Sequence, residues 1–127
     1  MPLVLIVEDD EETLRMMRVL LTSWGYNAAC ARNGAEALEQ MRQQRPCLVL
    51  LDMHMPVMGG SEFRRRQLAD PELASVPILC LTAHYEPEQV TAQIGAPCIR
   101  KPPDFRAIID AVKERCGPVS SGEKSRT

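Results

Sequence analysis

Asp52 closes an apolar run, Leu48-Val49-Leu50-Leu51, and a loop bearing Pro56 and Gly59-Gly60 follows it. A run without polar residues fits a strand buried on both faces, so this aspartate stands where a central strand leaves the core. Three other short strand-like segments end in comparable residues: Leu3 to Val7 runs into Glu8 and Asp9, Ile78 to Leu81 into Thr82, and Cys98 to Arg100 into Lys101. Singly, each is a loop polar group or a helix cap. At the carboxyl ends of parallel strands, however, they share one edge of a sheet, where open α/β sheets bind their ligands. Three carboxylates crowded there repel one another unless a cation sits among them, and hard oxygen ligands with room for water favour Mg²⁺. A lysine and a hydroxyl beside that cation suit an arriving anion such as a phosphoryl group.

The elements that must position these residues follow from periodicity. The first strand stops at five successive acids, Glu8 to Glu12. Asp10 is placed to cap a helix whose positive N-terminal end suits Glu11 and Glu12. Leu14, Met17, Leu21 and Trp24 form that helix's inner face, and Gly25 ends it. Asn27 to Ala31 reads as a weak edge strand, and Gly34 to Gln43 as a helix with Ala35, Leu38 and Met41 inside. Ser61 to Ala69 and the short Glu86 to Ile94 are further helices. Asp104 caps the last, whose inner face is Phe105, Ile108, Ile109, Val112 and Cys116. Five strands alternating with five helices predict a parallel sheet covered on both faces by right-handed crossovers. The folded domain is expected over residues 1–117, with 118–127 a disordered tail lacking any apolar period.

Composition narrows the function classes. The 127 residues are 45% hydrophobic and 25% charged, enough for one domain with a real core. A net charge of −2 argues against nucleic acid as a partner, and the Arg64-Arg65-Arg66 run reads as a solvated helix face. Five scattered cysteines, an odd number with no C-x-x-C, read as free thiols in a reducing compartment. No apolar segment reaches transmembrane length, so the expected location is cytoplasmic, with no membrane partner.

The segments V-L-I-V-E-D-D, L-V-L-L-D-M-H-M-P-V-M-G-G, P-I-L-C-L-T-A and R-K-P, in this order and spacing from Leu3 to about Cys116, resemble a response-regulator receiver domain of two-component signalling, CheY-like in type. The resemblance implies a flavodoxin-like (βα)5 three-layer sandwich with strand order 2-1-3-4-5. It implies that Asp52 is a phosphoacceptor, a carboxylate nucleophile forming an aspartyl phosphate. Asp9 and Asp52 would ligate Mg²⁺ directly, Glu8 mostly through water, and the His54 backbone carbonyl would be a further ligand. Lys101 would pair with the phosphoryl oxygens, Thr82 would hydrogen-bond them, and Ala83 would leave room beside them. Lys101-Pro102 matches a cis peptide position of the family. The implied partners are a histidine kinase or histidine phosphotransfer protein as donor and a downstream protein target. With three lysines against twelve arginines, a lysine at this strand end also stands out without the resemblance.

The pattern departs from the family in two places. Cys98 occupies the position, three before the lysine, where the family usually has Tyr or Phe. Thr82 and Lys101 are 19 positions apart, a few fewer than usual, so the fourth helix or its flanking loops must be shortened. The chemistry is therefore expected to be kept and the output surface altered. His54 and His84, each two residues after a site residue, are either solvent-facing or influence dephosphorylation with a titration near neutral pH. The competing readings are a phosphorylation-independent interaction module on the same fold, a Mg²⁺-dependent phosphohydrolase and an FMN binder. A haloacid-dehalogenase-like hydrolase wants a second Asp where His54 stands, and the acids from Glu8 to Glu12 would repel FMN phosphate.

Overall fold

The computed structural model describes residues 2–55 and 57–118. Its elements are β1 (Leu3–Val7), α1 (Glu11–Ser23), β2 (Asn27–Ala31), α2 (Gly34–Gln43), β3 (Leu48–Asp52), α3 (Gly60–Ala69), β4 (Ile78–Thr82), α4 (Pro87–Ile94), β5 (Cys98–Arg100) and α5 (Phe105–Cys116). All strand pairs are parallel, in the order β2-β1-β3-β4-β5. This is the flavodoxin-like three-layer sandwich that the alternation predicts. Apart from Pro118, the expected tail lies outside the described residues.

Strand residues alternate between the two faces. Leu5, Val7, Val49, Leu51 and Cys80 pack with Ala37, Leu38 and Met41 of α2, Phe63 of α3, and Val90 and Ile94 of α4. Val4, Ile6, Leu48, Leu50, Leu79 and Leu81 pack with Leu14, Met17 and Leu21 of α1 and Ile108, Ile109 and Val112 of α5. β3 and β4 are buried along their whole lengths, which explains why neither has a polar residue before its last, Asp52 and Thr82. Each buried leucine there contributes roughly 1.5–3 kcal/mol, and this anchors the polar residue at each strand's end. Caps set the helix starts: Asp10 accepts from Thr13 N (3.0 Å) and Thr13 Oγ1 (2.6 Å), and Asp104 from Arg106 N (3.0 Å).

Several expectations need correction. Ala35 is exposed and Ala37 takes its place inside, because the buried face of α2 is set by Gly34, Ala37, Leu38 and Met41. Phe105 is 42% exposed and lines an open cavity with Met16, Pro102 and Pro103 instead of entering the core. Trp24 is half-buried and carries the Lys113 ammonium over its ring at 4.6 Å. Arg64 is not part of a solvated face: it donates from Nε to Ile94 O (2.9 Å) and from Nη2 to Gly95 O (2.9 Å). The five cysteines are not all free. Cys47, just before β3, and Cys116, closing α5, meet at the end of the sheet away from Asp52 and are disulfide-bonded, with Cα atoms 5.3 Å apart. Cys30, Cys80 and Cys98 keep free thiols. Among the described residues no helix is long and apolar enough to cross a membrane.

Candidate functional site

The four strand ends converge as their spacing predicts. Glu8 extends the ladder one residue past β1, donating its N–H to Ala31 O (2.9 Å), and its side chain is only 2% exposed. Asp52 ends β3 at 3% exposure, while Asp9 is exposed at the rim. Carboxylate oxygens of Glu8, Asp9 and Asp52 all lie within 4.8 Å of one another. From the end of β5, Lys101 Nζ donates to Asp52 Oδ1 at 2.9 Å and lies 3.6 Å from Glu8 Oε1. The Lys101 backbone N–H donates to Thr82 O (2.8 Å), tying the ends of β4 and β5 together, and the Lys101-Pro102 peptide is cis.

The charges do not balance within the protein. Glu8 Oε2 accepts the Asp10 N–H (3.1 Å), but buried Oε1 has no hydrogen-bond partner among the described residues. Burial, working against the Asp10 N–H and with the nearby Asp52 charge, pushes the Glu8 carboxyl up to about 7. Burial also pulls the Lys101 ammonium down, but its hydrogen bond and charge pairing with Asp52, supported by Glu8, outweigh this and hold it above the usual lysine value. A buried carboxylate oxygen with no hydrogen bond, and an ammonium no nearer than 3.6 Å, is costly. Clustered with two more carboxylates, it fits a hard, oxygen-ligated divalent cation.

Thr82 is 1% exposed, and its Oγ1 accepts the His84 N–H at 3.1 Å, which leaves its own O–H available to donate. Ala83 is exposed beside it. The two histidines differ. His54 has an exposed side chain and a backbone N–H donated to Asp52 Oδ1 at 3.4 Å. His84 is half-buried: its Nδ1 accepts the Glu86 N–H at the start of α4 (3.0 Å), and its ring stacks on Tyr85 with centroids 5.1 Å apart. Cys98 is half-buried and packs against the core cluster on the α2, α3 and α4 side.

The sequence did not reveal how the loop after Asp52 is anchored. Gly60 N donates to Met53 O (3.2 Å) and Gly34 N to Met58 O (2.9 Å). A Cβ on Gly60 would come 2.5 Å from Met53 Sδ, and one on Gly34 would come 3.0 Å from Met58 O. Val57, in the same loop, is held at φ 66°, a costly region for a β-branched residue. Gly59-Gly60 was a visible signal of close approach; Gly34 gave none.

Comparison with known proteins identifies the fold and the family. The sequence profile of the response regulator receiver domain matches residues 4–113. The chain belongs to the response regulator receiver family. This receiver is 32% identical over 117 residues to the polar-differentiation response regulator DivK of Brucella anthropi, covering 90% of this chain and 95% of that protein. The signal receiver domain of a signal transduction histidine kinase from Syntrophus aciditrophicus has a TM-score of 0.84 at 30% identity, over 97% of this receiver and 96% of that chain. The receiver domain of a Pseudomonas aeruginosa sensor histidine kinase has a TM-score of 0.82 at 25% identity, over 91% and 98% of the two chains. That protein's crystal structure holds a magnesium ion coordinated in its active-site cleft. The chain is thus a receiver domain of two-component phosphorelay signalling.

Proposed function

We propose that this receiver takes a phosphoryl group onto Asp52 from the phosphohistidine of a histidine kinase or phosphotransfer protein. The observation that carries the proposal is the placing of one ammonium, Lys101, 2.9 Å from Asp52 and 3.6 Å from Glu8 within a cluster of three carboxylates. In the transfer, an Asp52 carboxylate oxygen attacks phosphorus in line with the departing imidazole nitrogen. The P–O bond forms as the P–N bond breaks, and the electron pair leaves with the imidazole. Lys101 moves from pairing with Asp52 to pairing with the phosphoryl oxygens, and the Thr82 hydroxyl donates to another of them. The side chains of Glu8, Asp9 and Asp52 and the His54 carbonyl would hold Mg²⁺. A cation bound there supplies the charge neutralisation that phosphoryl transfer depends on.

A protein donor suits the surroundings. A cavity of about 340 Å³ beside Lys101 is lined by Met16, Met17 and Leu81 and by Pro102, Pro103 and Phe105. Met16 (51% exposed) and Phe105 (42%) offer an apolar contact next to the site. The response is read through protein contacts on an altered face. Cys98 has no ring to move, so displacement of the Thr82 hydroxyl passes through its bond with His84 N–H to Tyr85, 69% exposed and stacked on His84. The domain occupies residues 1–117 and acts as a signalling phosphoacceptor, with self-phosphorylation and self-dephosphorylation as its only enzymatic steps.

The test is incubation with acetyl phosphate and Mg²⁺, and separately with a phosphorylated histidine donor, followed by intact-mass spectrometry. One phosphoryl adduct on wild type and none on Asp52→Asn is expected. Wild type that binds Mg²⁺ but gains no phosphoryl group from either donor would instead establish a phosphorylation-independent interaction module, which the short α4 and Cys98 would suit.

A further inference from the structure

Two of the three free thiols are neighbours. In the parallel pairing of β4 with β5, Cys80 lies directly opposite Cys98. Both pack into the cluster on the α2, α3 and α4 side of the sheet, and the Cys98 thiol, which donates only to Ala96 O at 3.6 Å, is weakly held there. Adjacent strands run about 4.7–4.9 Å apart. That spacing falls inside the roughly 4.4–6.8 Å between Cα atoms that a disulfide spans. β5 is only three residues long and lies at the sheet's edge, so it is the strand best able to shift and bring the sulfurs into bonding distance. Cys30, the remaining free thiol, is on β2 at the opposite edge and packs on the other face.

We propose that Cys80 and Cys98 form an oxidisable dithiol, which hydrogen peroxide converts into a second disulfide joining β4 to β5 just behind Thr82 and Lys101. Exposure sets the order of events. Cys98 is half-buried and reachable, whereas Cys80 is fully buried. Burial, together with the neighbouring Cys98 sulfur, also pushes the Cys80 thiol far up, so it reacts second. The Cys98 thiolate attacks the O–O bond, forming a sulfenic acid and releasing hydroxide. The Cys80 sulfur then attacks the Cys98 sulfur, the S–S bond forms and the sulfenic oxygen leaves as hydroxide. With the two thiol protons, both hydroxides become water: two thiols lose two electrons and one peroxide is reduced to two waters. The proposal stands whether or not Asp52 accepts a phosphoryl group.

The test uses the full chain, its fold verified by circular dichroism before and after exposure to a small excess of hydrogen peroxide. Free thiols are then alkylated in denaturant, and the unreduced protein is digested and mapped by mass spectrometry. A Cys80–Cys98 linked peptide is expected, with Cys30 still alkylated and the Cys47–Cys116 link retained. In Cys98→Ser the linked peptide disappears and Cys80 stays alkylatable. Three results would overturn the proposal: Cys98 oxidised to sulfinic acid with Cys80 still alkylated, Cys80 linked to another cysteine, or the Cys80–Cys98 link forming only when peroxide is added in denaturant.

Discussion

Replacing Glu8 by Gln tests whether the acid cluster is built for a cation at the expense of the metal-free fold. Glu8 is 2% exposed, and its carboxyl is pushed from 4.5 up to about 7, chiefly by burial. The folded state therefore holds a proton that the unfolded chain has lost between these two values. Stability contributed by this group is present at low pH and is lost as pH rises from about 4.5 to about 7. At about 1.4 kcal/mol per pH unit, ionised Glu8 costs the metal-free domain on the order of 3 kcal/mol at pH 8 and almost nothing at pH 4. Gln has the shape of the protonated acid and escapes this cost. Urea unfolding followed by Trp24 fluorescence in EDTA should show Glu8→Gln about 3 kcal/mol more stable than wild type at pH 8, with the two converging towards pH 4. Added Mg²⁺ should raise wild type more than the variant and narrow or reverse the order at pH 8. A variant no more stable than wild type at pH 8 in EDTA would mean that buried Oε1 is already satisfied, and the electrostatic case for the cation would fail with it.

Three further outcomes follow from the same geometry. Lys101→Met removes the ammonium 2.9 Å from Asp52 and should slow acetyl phosphate labelling by roughly 100-fold, about 3 kcal/mol of transition-state stabilisation; unchanged labelling would assign that charge to structure alone. Replacing Cys47 and Cys116 together by Ser opens a loop spanning a separation of 69 residues, and loop entropy sets the expected loss at roughly 4 kcal/mol. Dithiothreitol should lower wild-type stability by the same amount and leave the double variant unaffected. Gly60→Ala drives a Cβ to 2.5 Å from Met53 Sδ and 3.0 Å from Met53 Cα, so it should cost about 1–3 kcal/mol and slow labelling by displacing the loop after Asp52; labelling at the wild-type rate would show that the loop's position does not matter to the chemistry.

The parts of this receiver that were legible in the sequence share a physical cause. A strand buried on both faces excludes polar residues, so Asp52 and Thr82 stand out against their own apolar runs; Lys101 stands out by the scarcity of lysine, and the parallel alternation brings the three ends together. The parts that were not legible depend on partners distant in sequence. Cys47 and Cys116 are 69 positions apart, and only the docking of α5 against the sheet brings them together. In α2, Leu38 and Met41 are buried as their spacing predicts, and only Ala35 was misplaced, because alanine is equally at home on either face. Phe105 has the right spacing for the core of α5 but is 42% exposed beside Pro102 and Pro103, which periodicity within the helix cannot reveal. Glu8 was legible as a ligand candidate, but its unpaired oxygen depends on where Lys101 stops short.

Arg64 shows how the shortened stretch between Thr82 and Lys101 is accommodated. α4 has only eight residues, carries no basic residue in its last turn and ends at Gly95 in the left-handed conformation, φ 68°. Like any helix, α4 leaves its final carbonyls without intrahelical partners, and its C-terminal end carries partial negative charge. Arg64 supplies both needs from the neighbouring helix, donating to Ile94 O and Gly95 O while its Nη1 holds Gln67 Oε1 at 2.7 Å. Buried Gln67 in turn donates to Leu73 O (2.9 Å) and Val76 O (3.0 Å), fixing the loop that leads into β4. One hydrogen-bonded chain therefore runs from the loop before β4, through α3, to the turn before β5. Both strands bearing Thr82 and Lys101 are entered through segments that it holds. The C-terminal end of α4 is thus braced against α3, whereas the β4–α4 loop, with His84 and Tyr85, is tied to Thr82 through the His84 N–H and would be the part to move under the proposed phosphorylation.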